Sequence, residues 1–211
     1  DSYTLTRTWT ATDNCGNEDV QTQVITVQDT TDPVLAGVPA DETVECDAVP
    51  AAAEPTATDN CDVDVEISYN EVRTDGDCAD NYTLTRTWTA TDNCGNEDVQ
   101  TQVIIVQDTT DPVLAGVPAD ETVECDAVPG PAVPTATDNC SANVDIAYNQ
   151  VRTDGDCPFN YTLTRTWTAT DNCGNIDVQT QVITVQDTTD PIMTGVPADE
   201  TVECDAVPAA A

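Results

Sequence analysis

The 211-residue sequence predicts an all-β fold, a series of tandem β-sandwich repeats of 79 residues joined end to end and held by disulfide bonds. Three observations lead to this prediction. A long string of residues recurs at a constant spacing, short alternating segments are separated by turn-forming residues, and each repeat carries four cysteines. A constant period indicates an array of similar structural units, and short strands between turns are typical of sandwiches.

The repeat is defined by the string YTLTRTWTATDNCGN, which begins at Tyr3, Tyr82 and Tyr161. We place the repeat boundaries at the Asp-Pro steps, because proline cannot continue a central strand. The predicted domains are two complete repeats, 33–111 and 112–190, preceded by the C-terminal part of a repeat at 1–32 and followed by the N-terminal part of a repeat at 191–211. We therefore expect the sequence to belong to a longer protein.

Five segments of the first complete repeat are predicted as strands: 43–46, 55–58, 65–74, 82–91 and 99–107. The segment 82–91 is the clearest, because large side chains alternate with threonine along its whole length. Alternation directs Trp88 toward the core and the threonines toward the other face. Arg86 and Arg165 share the tryptophan face of their strands, so we expect each to pair with a carboxylate or to lie over the indole ring.

The composition is strongly acidic, since 40 Asp and Glu residues stand against five arginines, with no lysine or histidine, for a formal net charge of −35. This charge excludes nucleic acid as a partner and disfavours an anionic membrane surface. It favours cations, because self-repulsion at this density opposes compaction. No apolar run approaches the length of about 20 residues that spans a bilayer, so no transmembrane segment is expected.

The cysteines predict disulfides rather than zinc sites, because the sequence has no histidine and no Cys-x-x-Cys pair. Disulfides place the protein outside the cytoplasm, secreted or on a cell surface. Strands of alternating direction bring the first and third cysteines of a repeat to one end and the second and fourth to the other. The predicted pairs are therefore Cys46–Cys78, Cys61–Cys94, Cys125–Cys157 and Cys140–Cys173.

The sequence resembles the hyalin repeat, an immunoglobulin-like module. The resemblance rests on TWTATDNCGN followed by a Val/Ile-rich strand, on DTTDP at the junction and on VPADETVEC at the start of the next repeat, and it covers essentially the whole chain. The cysteine-rich form is similar to the long arrays of large bacterial surface proteins, including gliding-motility adhesins. The resemblance implies an immunoglobulin-like fold, an extracellular adhesion or stalk role, and no catalytic residues.

No enzyme activity is expected. Without histidine neither a Ser-His-Asp nor a Cys-His constellation can form, and no glycine-rich phosphate loop is present. Carboxylate pairs of the kind that glycosidases use recur in every repeat, as they would on a solvated acidic surface. We favour a calcium-stabilised extracellular stalk or filament, whose partners are neighbouring repeats of the same chain and identical chains in a fibre. The alternative is a cell-surface adhesin whose repeats bind a glycan or a protein.

Calcium is the expected cofactor, because it takes about six to eight oxygen ligands of the kind that Asp, Asn and backbone carbonyls supply. The DTTDP linker is similar to the acidic linkers of cadherins, where calcium rigidifies successive domains. The candidate ligands are Asp29, Asp32, Asp59, Asn60, Asp92, Asn93 and Asn96 at the earlier junction, and Asp75, Asp77, Asp108, Asp111, Asp138, Asn139, Asp171, Asn172 and Asn175 at the later one. The alternative is a role in turns, which Asp-Asn and Asp-Gly form readily.

Asp-Thr-Thr also resembles the O-glycosylation signal of some bacterial surface proteins. The acceptors would be Thr30, Thr109 and Thr188.

Overall fold

The chain forms strands where Val, Ile, Thr and aromatic residues alternate, because these side chains suit a pleated, half-buried surface. The computed structural model describes residues 2–207. Its strands are β1 (Tyr3–Thr12), β2 (Glu18–Val27), β3 (Val34–Ala36), β4 (Glu42–Glu45), β5 (Thr56–Thr58), β6 (Glu66–Asp75), β7 (Tyr82–Thr91), β8 (Glu97–Gln107), β9 (Val113–Ala115), β10 (Glu121–Glu124), β11 (Thr135–Thr137), β12 (Asp145–Asp154), β13 (Tyr161–Thr170) and β14 (Ile176–Gln186). Within the described residues, no helix has the length and apolarity needed to cross a lipid bilayer.

The predicted repeat 33–111 contains two sheets. One has four strands in the order β4-β8-β7-β6, and the other pairs β3 with β5. Strands β4 and β8 are parallel, whereas β7 is antiparallel to both β8 and β6. The repeat 112–190 has the same strand order, with β10-β14-β13-β12 in one sheet and β9 beside β11 in the other. This arrangement confirms the predicted all-β sandwich repeats.

The core of the first repeat lies between its two sheets, with Trp88 at 1% exposure. Leu35 of β3 and Ala90 of β7 are buried with it, and Ala57 of β5 packs against the cluster. The indole Nε1 donates a hydrogen bond to the backbone oxygen of Ala53 at 3.3 Å. A buried tryptophan contributes a large apolar area, so this residue anchors a small core.

Arg86 lies on the same face of β7 as Trp88 and is also buried. Its Nε donates to Glu71 Oε2 at 2.8 Å, and its Nη2 donates to the backbone oxygen of Pro50 at 2.8 Å. These partners offset the cost of removing a guanidinium from water. The inward face predicted for 82–91 and the carboxylate partner of Arg86 are confirmed. The same prediction does not hold for Arg165, whose Nε donates to Gln150 Oε1 at 3.0 Å instead of to a carboxylate.

The sequence pattern does not predict β3. Its three residues, Val34–Ala36, are all apolar and show no alternation, unlike the Thr-Ala-Thr of β5. Long-range contacts position this strand, because the backbone N–H of Leu35 donates to Asp98 Oδ2 at 2.8 Å.

The described residues divide into two compact units, the first made of 2–117, 133–148 and 167–179, and the second of 118–132, 149–166 and 180–207. The first unit holds the hairpin β1–β2, the first complete repeat and one end of the second repeat. The junction between the two complete repeats therefore lies within the first unit.

We call the lower end of a repeat the end where β4, β6 and β8, or their counterparts, finish, and the upper end the one where β7 or β13 finishes. The lower-end cysteines are Cys46 and Cys78 in the first repeat and Cys125 and Cys157 in the second. The upper-end cysteines are Cys61 and Cys94 in the first repeat and Cys140 and Cys173 in the second. The two cysteines of each predicted disulfide therefore lie at the same end of their repeat, as the strand directions predict.

The disulfide pairing differs from the predicted one. Cys46 is bonded to Cys140, with Cα atoms 5.8 Å apart, and Cys78 is bonded to Cys173, with Cα atoms 5.2 Å apart. Both bonds therefore join the lower end of one repeat to the upper end of the next. The predicted pairs Cys46–Cys78 and Cys140–Cys173 are wrong.

The strand order explains the failure of Cys46–Cys78. Cys46 follows β4 and Cys78 follows β6, at opposite edges of the four-stranded sheet. With neighbouring strands about 4.8 Å apart, these edges are separated by roughly 14 Å. A disulfide needs Cα atoms within about 7 Å.

The remaining cysteines are thiols in the structure: Cys15, Cys61, Cys94, Cys125, Cys157 and Cys204. The predicted bonds Cys61–Cys94 and Cys125–Cys157 are therefore also wrong for this structure. The second fails for the same reason as Cys46–Cys78, because β10 and β12 lie at opposite edges of their sheet. The assumption that fails is that each bond closes within one repeat.

Candidate functional site

Three carboxylates converge where the lower end of repeat 33–111 meets the upper end of repeat 112–190. Asp108 follows β8, Asp138 follows β11 and Asp171 follows β13. One oxygen from each lies within 4.8 Å of the others. Strand direction produces this convergence, because β8 finishes at the lower end of its repeat and β11 and β13 finish at the upper end of theirs. The sequence predicted all three as ligands, and the structure brings them together.

Two oxygens of this cluster lack a hydrogen-bond donor among the described residues. Asp108 is 4% exposed, and its Oδ2 is buried without a partner. Asp138 Oδ1 is likewise buried and without a partner. Its other oxygen, Oδ2, accepts hydrogen bonds from the backbone N–H groups of Cys140 and Ser141, each at 2.8 Å. Buried polar atoms normally have partners, so two orphan oxygens in one cluster require an explanation.

The pKa of Asp108 also indicates that its negative charge is poorly compensated. Burial, followed by the negative charges of Asp138 and Asp171, raises the pKa of Asp108 from 3.8 to about 6. Like charges held close together disfavour ionisation, and a bound cation would reverse that balance.

Asp171 is held ionised by the turn that follows β13. Its Oδ1 accepts hydrogen bonds from the backbone N–H groups of Cys173 at 2.8 Å and Asn175 at 2.9 Å, and its Oδ2 accepts from Asn175 Nδ2 at 2.7 Å. Burial opposes ionisation of Asp171, but these hydrogen bonds outweigh it and lower its pKa. Gly174, at φ +93°, supplies the left-handed backbone conformation that lets the turn close.

Asn175 also connects the two repeats directly, since its Nδ2 donates to the backbone oxygen of Asp108 at 3.2 Å. Its amide therefore serves as a donor that orients two members of the cluster. This role differs from the ligand role that the sequence predicted for it.

Two residues near the cluster were not predicted as ligands. Asp80 offers an oxygen within 4.8 Å of an Asp108 oxygen, in a group that includes the sulfur of Cys173. Its Oδ2 accepts a hydrogen bond from Ser141 Oγ at 3.2 Å. The repeat comparison cannot find Asp80, because Phe159 occupies the equivalent position. Glu45 is the second, and it shares a group with Asp108 and Cys140.

Other predicted ligands have separate partners. Asp75 pairs with Arg73 Nε at 2.8 Å, and Asp77 Oδ1 accepts from Asn81 Nδ2 at 2.8 Å. Neither belongs to an acidic cluster among the described residues. Asp111 Oδ1 accepts from the backbone N–H of Ile176 at 3.3 Å, beside the cluster. Asn139 and Asn172 are exposed members of the adjacent turns.

The earlier junction repeats part of the arrangement. Asp29, Asp59 and Asp92 are the counterparts of the three clustered carboxylates, and Asp59 Oδ1 is again buried without a partner among the described residues. The acidic group found here joins Asp29 and Asp59 to Cys61. The turn residues predicted with them behave as at the later junction, since Asn96 donates to Asp92 Oδ2 at 2.7 Å. Asp32, Asn60 and Asn93 are exposed.

The predicted glycosylation acceptors Thr30, Thr109 and Thr188 are exposed. The hydroxyl of Thr109 donates to Glu45 Oε1, and that of Thr188 donates to Glu124 Oε1. Glycosylation at these positions stays a prediction.

A family model described as "HYR-like domain with 4 cysteines" matches residues 34–106 and 113–185, more than half of the chain. The chain belongs to this family. The family confirms the resemblance to the hyalin repeat, and its four cysteines correspond in each HYR-like repeat to the two lower-end and two upper-end cysteines. No curated protein sequence matches the chain.

Several solved extracellular domains resemble the HYR-like chain at low similarity. Mouse clustered PcdhgC3 EC1-3 has a TM-score of 0.34 and 13% identity, with coverage of 88% of this chain and 77% of that chain. Mouse Protocadherin-24 EC1-3 has a TM-score of 0.36 and 14% identity, with coverage of 88% and 80%. Drosophila N-cadherin EC1-3 has a TM-score of 0.28 and 17% identity, with coverage of 81% and 74%. At these TM-scores the similarity supports no transfer of ligand or function.

Proposed function

We propose that the HYR-like repeats form part of a non-catalytic, extracellular structural array, a stalk or filament whose junctions are stabilised by calcium. The two disulfides support an extracellular location, because such bonds persist in oxidising compartments. The burial of Trp88 and Trp167 supports a structural rather than a ligand-binding role, because it commits these aromatic side chains to the cores.

The observation that carries the calcium proposal is the pair of buried orphan oxygens, Asp108 Oδ2 and Asp138 Oδ1, in a cluster of three carboxylates. A buried carboxylate oxygen without a donor has lost its hydration and has no hydrogen bond to offset that loss. A divalent cation would supply the missing partner for both oxygens and cancel the mutual repulsion that raises the pKa of Asp108.

The donor set fits calcium better than other common metals. All candidate ligand atoms are hard oxygens from Asp108, Asp138, Asp171 and the nearby Asp80. Calcium accepts irregular oxygen sets, whereas magnesium requires near-ideal octahedral geometry and retains its waters. The sulfurs nearest the cluster, those of Cys140 and Cys173, are engaged in disulfides and are not thiolate ligands.

The proposal is tested by calorimetric titration of calcium into the chelator-treated 211-residue chain, alongside Asp108→Asn and Asp187→Asn. Asp187 is the counterpart of Asp108 at the lower end of the second repeat and is exposed, so it is the matched control. We expect wild type and Asp187→Asn to bind calcium and gain thermal stability. Asp108→Asn should lose at least about tenfold in affinity at the junction site, equivalent to about 1.4 kcal/mol.

A second readout separates a cation site from a merely structural role. In chelator, Asp108→Asn should be more stable than wild type, because the substitution removes like-charge repulsion without changing the shape of the side chain. The proposal fails if wild type shows neither binding heat nor a rise in Tm at millimolar calcium. It also fails if Asp108→Asn retains the calcium response of wild type.

A further inference from the structure

The two disulfides follow one rule. Each joins a lower-end cysteine of repeat 33–111 to an upper-end cysteine of repeat 112–190. In each of these repeats one end has both of its cysteines bonded and the other end has both of its cysteines free. The second repeat has its lower-end pair, Cys125 and Cys157, as thiols, and the first repeat has its upper-end pair, Cys61 and Cys94, as thiols.

We infer that these four thiols are bonding positions for further repeats of the same type, so that every junction in the array carries two inter-repeat disulfides. Cys125 and Cys157 would bond to the upper-end cysteines of a repeat that follows. Cys61 and Cys94 would bond to the lower-end cysteines of a repeat that precedes. This inference concerns the covalent connection of the array and does not depend on calcium.

The lower-end turn has the same geometry with and without its disulfide. In the bonded end, the backbone N–H of Gly76 donates to the oxygen of Asn81 at 2.8 Å. In the open end, the N–H of Gly155 donates to the oxygen of Asn160, also at 2.8 Å. A Cβ on either glycine would lie 2.6 Å from that oxygen, so glycine is needed for this close approach. The turn that carries Cys157 is therefore formed before any partner is bonded.

The upper-end turns agree equally well. The N–H of Cys94 donates to Asp92 Oδ1 at 2.8 Å, as that of Cys173 donates to Asp171 Oδ1 at 2.8 Å. The N–H of Cys61 donates to Asp59 Oδ2 at 2.6 Å, and its counterpart Cys140 makes the equivalent bond at 2.8 Å.

The open thiols are also accessible. Cys61, Cys94 and Cys157 are exposed and Cys125 is half-buried. Bonding within the second repeat is disfavoured, because Cys125 and Cys157 lie at opposite edges of one sheet. Burial, followed by the nearby carboxylates, raises the pKa of the half-buried Cys125 thiol, which reduces thiolate exchange at this position before a partner repeat is bonded.

The chemistry is thiol–disulfide exchange. Two thiols lose two protons and two electrons to form one S–S bond. An acceptor disulfide, such as oxidised glutathione, takes up the electrons and protons and is reduced to two thiols. Each completed junction therefore consumes two equivalents of such an acceptor.

The test uses the full chain and an extended chain in which a second copy of residues 112–190 is inserted after residue 190. The inserted copy carries serine in place of its own lower-end cysteines, the counterparts of Cys125 and Cys157. Both chains are refolded in a glutathione buffer, alkylated and digested with trypsin without reduction. Cleavage after arginine isolates Cys78 in peptide 74–86 and Cys157 in peptide 153–165, which differ in mass because they differ in sequence.

We expect peptide 153–165 to be alkylated and unlinked in the full chain. In the extended chain it should be linked to the peptide that holds the inserted counterpart of Cys173. The link between peptide 74–86 and the peptide containing Cys173 serves as the internal control for correct folding in both digests. With that control link present, an unlinked peptide 153–165, or a link from it to the peptide holding Cys125, would overturn the inference.

Discussion

The two lower ends of the complete repeats have nearly the same sequence but different surroundings. Their local hydrogen bonds agree. The N–H of Asp108 donates to Asn81 Oδ1 at 2.8 Å, and that of Asp187 donates to Asn160 Oδ1 at 2.9 Å. Each end also pairs its first linker threonine with a glutamate of the preceding sheet. A lower end therefore acquires its backbone structure from its own repeat.

The two lower ends differ in their burial and in their disulfide bonds, both of which depend on a neighbouring repeat. Asp108 is buried, whereas Asp187 is exposed. Cys46 and Cys78 are bonded, whereas Cys125 and Cys157 are thiols. The comparison shows that each end has its backbone structure without a neighbour. The burial of Asp108, its raised pKa and the bonding of the cysteines arise only where two ends are in contact.

Removal of one inter-repeat disulfide should produce the largest difference. We expect Cys78→Ser/Cys173→Ser to lower the free energy of unfolding by about 3 to 4 kcal/mol, because the denatured chain regains the freedom of a long loop. The matched control, Cys94→Ser/Cys157→Ser, removes one upper-end and one lower-end thiol and should stay within about 0.5 kcal/mol of wild type. Denaturant titration measures both, and equal effects in the two variants would contradict the pairing.

The same pair of variants should separate in calcium affinity. Without the Cys78–Cys173 bond, only the Cys46–Cys140 bond and the linker hold the two ends together, so the junction opens more readily. If about a tenth of the molecules have a closed junction, the apparent Kd rises about tenfold. Cys94→Ser/Cys157→Ser should keep the affinity of wild type. Calorimetry in calcium-titrated, chelator-treated samples gives the comparison, and unchanged affinity in Cys78→Ser/Cys173→Ser would argue against a cation at this junction.

A smaller difference is expected for the two asparagines that cap the lower ends. Asn81→Ala should cost about 1 kcal/mol more than Asn160→Ala, because it leaves the N–H of a buried residue unsatisfied. Water can replace the lost acceptor at the exposed Asp187. Chemical denaturation of both variants tests this, and equal costs would show that the N–H of Asp108 is also hydrated.

The last difference concerns pH and is measured in chelator as the difference in free energy of unfolding between Asp108→Asn and wild type. The pKa of Asp108 is raised from 3.8 to about 6 in the folded chain. Between about pH 4 and pH 6 the folded state thus retains a proton that the unfolded state has lost, so this residue lowers stability as pH rises. The advantage of Asp108→Asn should grow through that window and level off above it. A stability difference for Asp108→Asn that stays flat with pH would contradict the raised pKa.

Much of the fold follows from local patterns. The predicted strand 82–91 agrees with β7 residue for residue, and its inward face holds the buried Leu84 and Trp88. Strand β3 was missed because its apolar residues do not alternate and long-range contacts fix its position. The disulfide pairs were missed because strand order across a sheet is not encoded in the spacing of cysteines, although the end at which each cysteine lies is.

Some residues of the candidate site could likewise be predicted from the sequence and others could not. Strand direction was sufficient to gather Asp108, Asp138 and Asp171, since it decides which turns share an end. It could not show that Asp75 forms an ion pair with Arg73, which depends on the reach of the arginine side chain along one strand. Asp80 was missed because Phe159 replaces it in the second repeat, so no repeated pattern marks it.

The lower-to-upper disulfides have a consequence for damage tolerance. Between Asp108 and Pro112 one stretch of backbone connects the two repeats, and two disulfide bonds connect them as well. A protease that cuts this segment would leave a nicked molecule that still holds together. The two repeats would separate only after reduction of both disulfides and hydrolysis of the linker backbone, which are unrelated reactions. A junction would therefore break only where proteolysis and reduction both occur, and neither alone would break it.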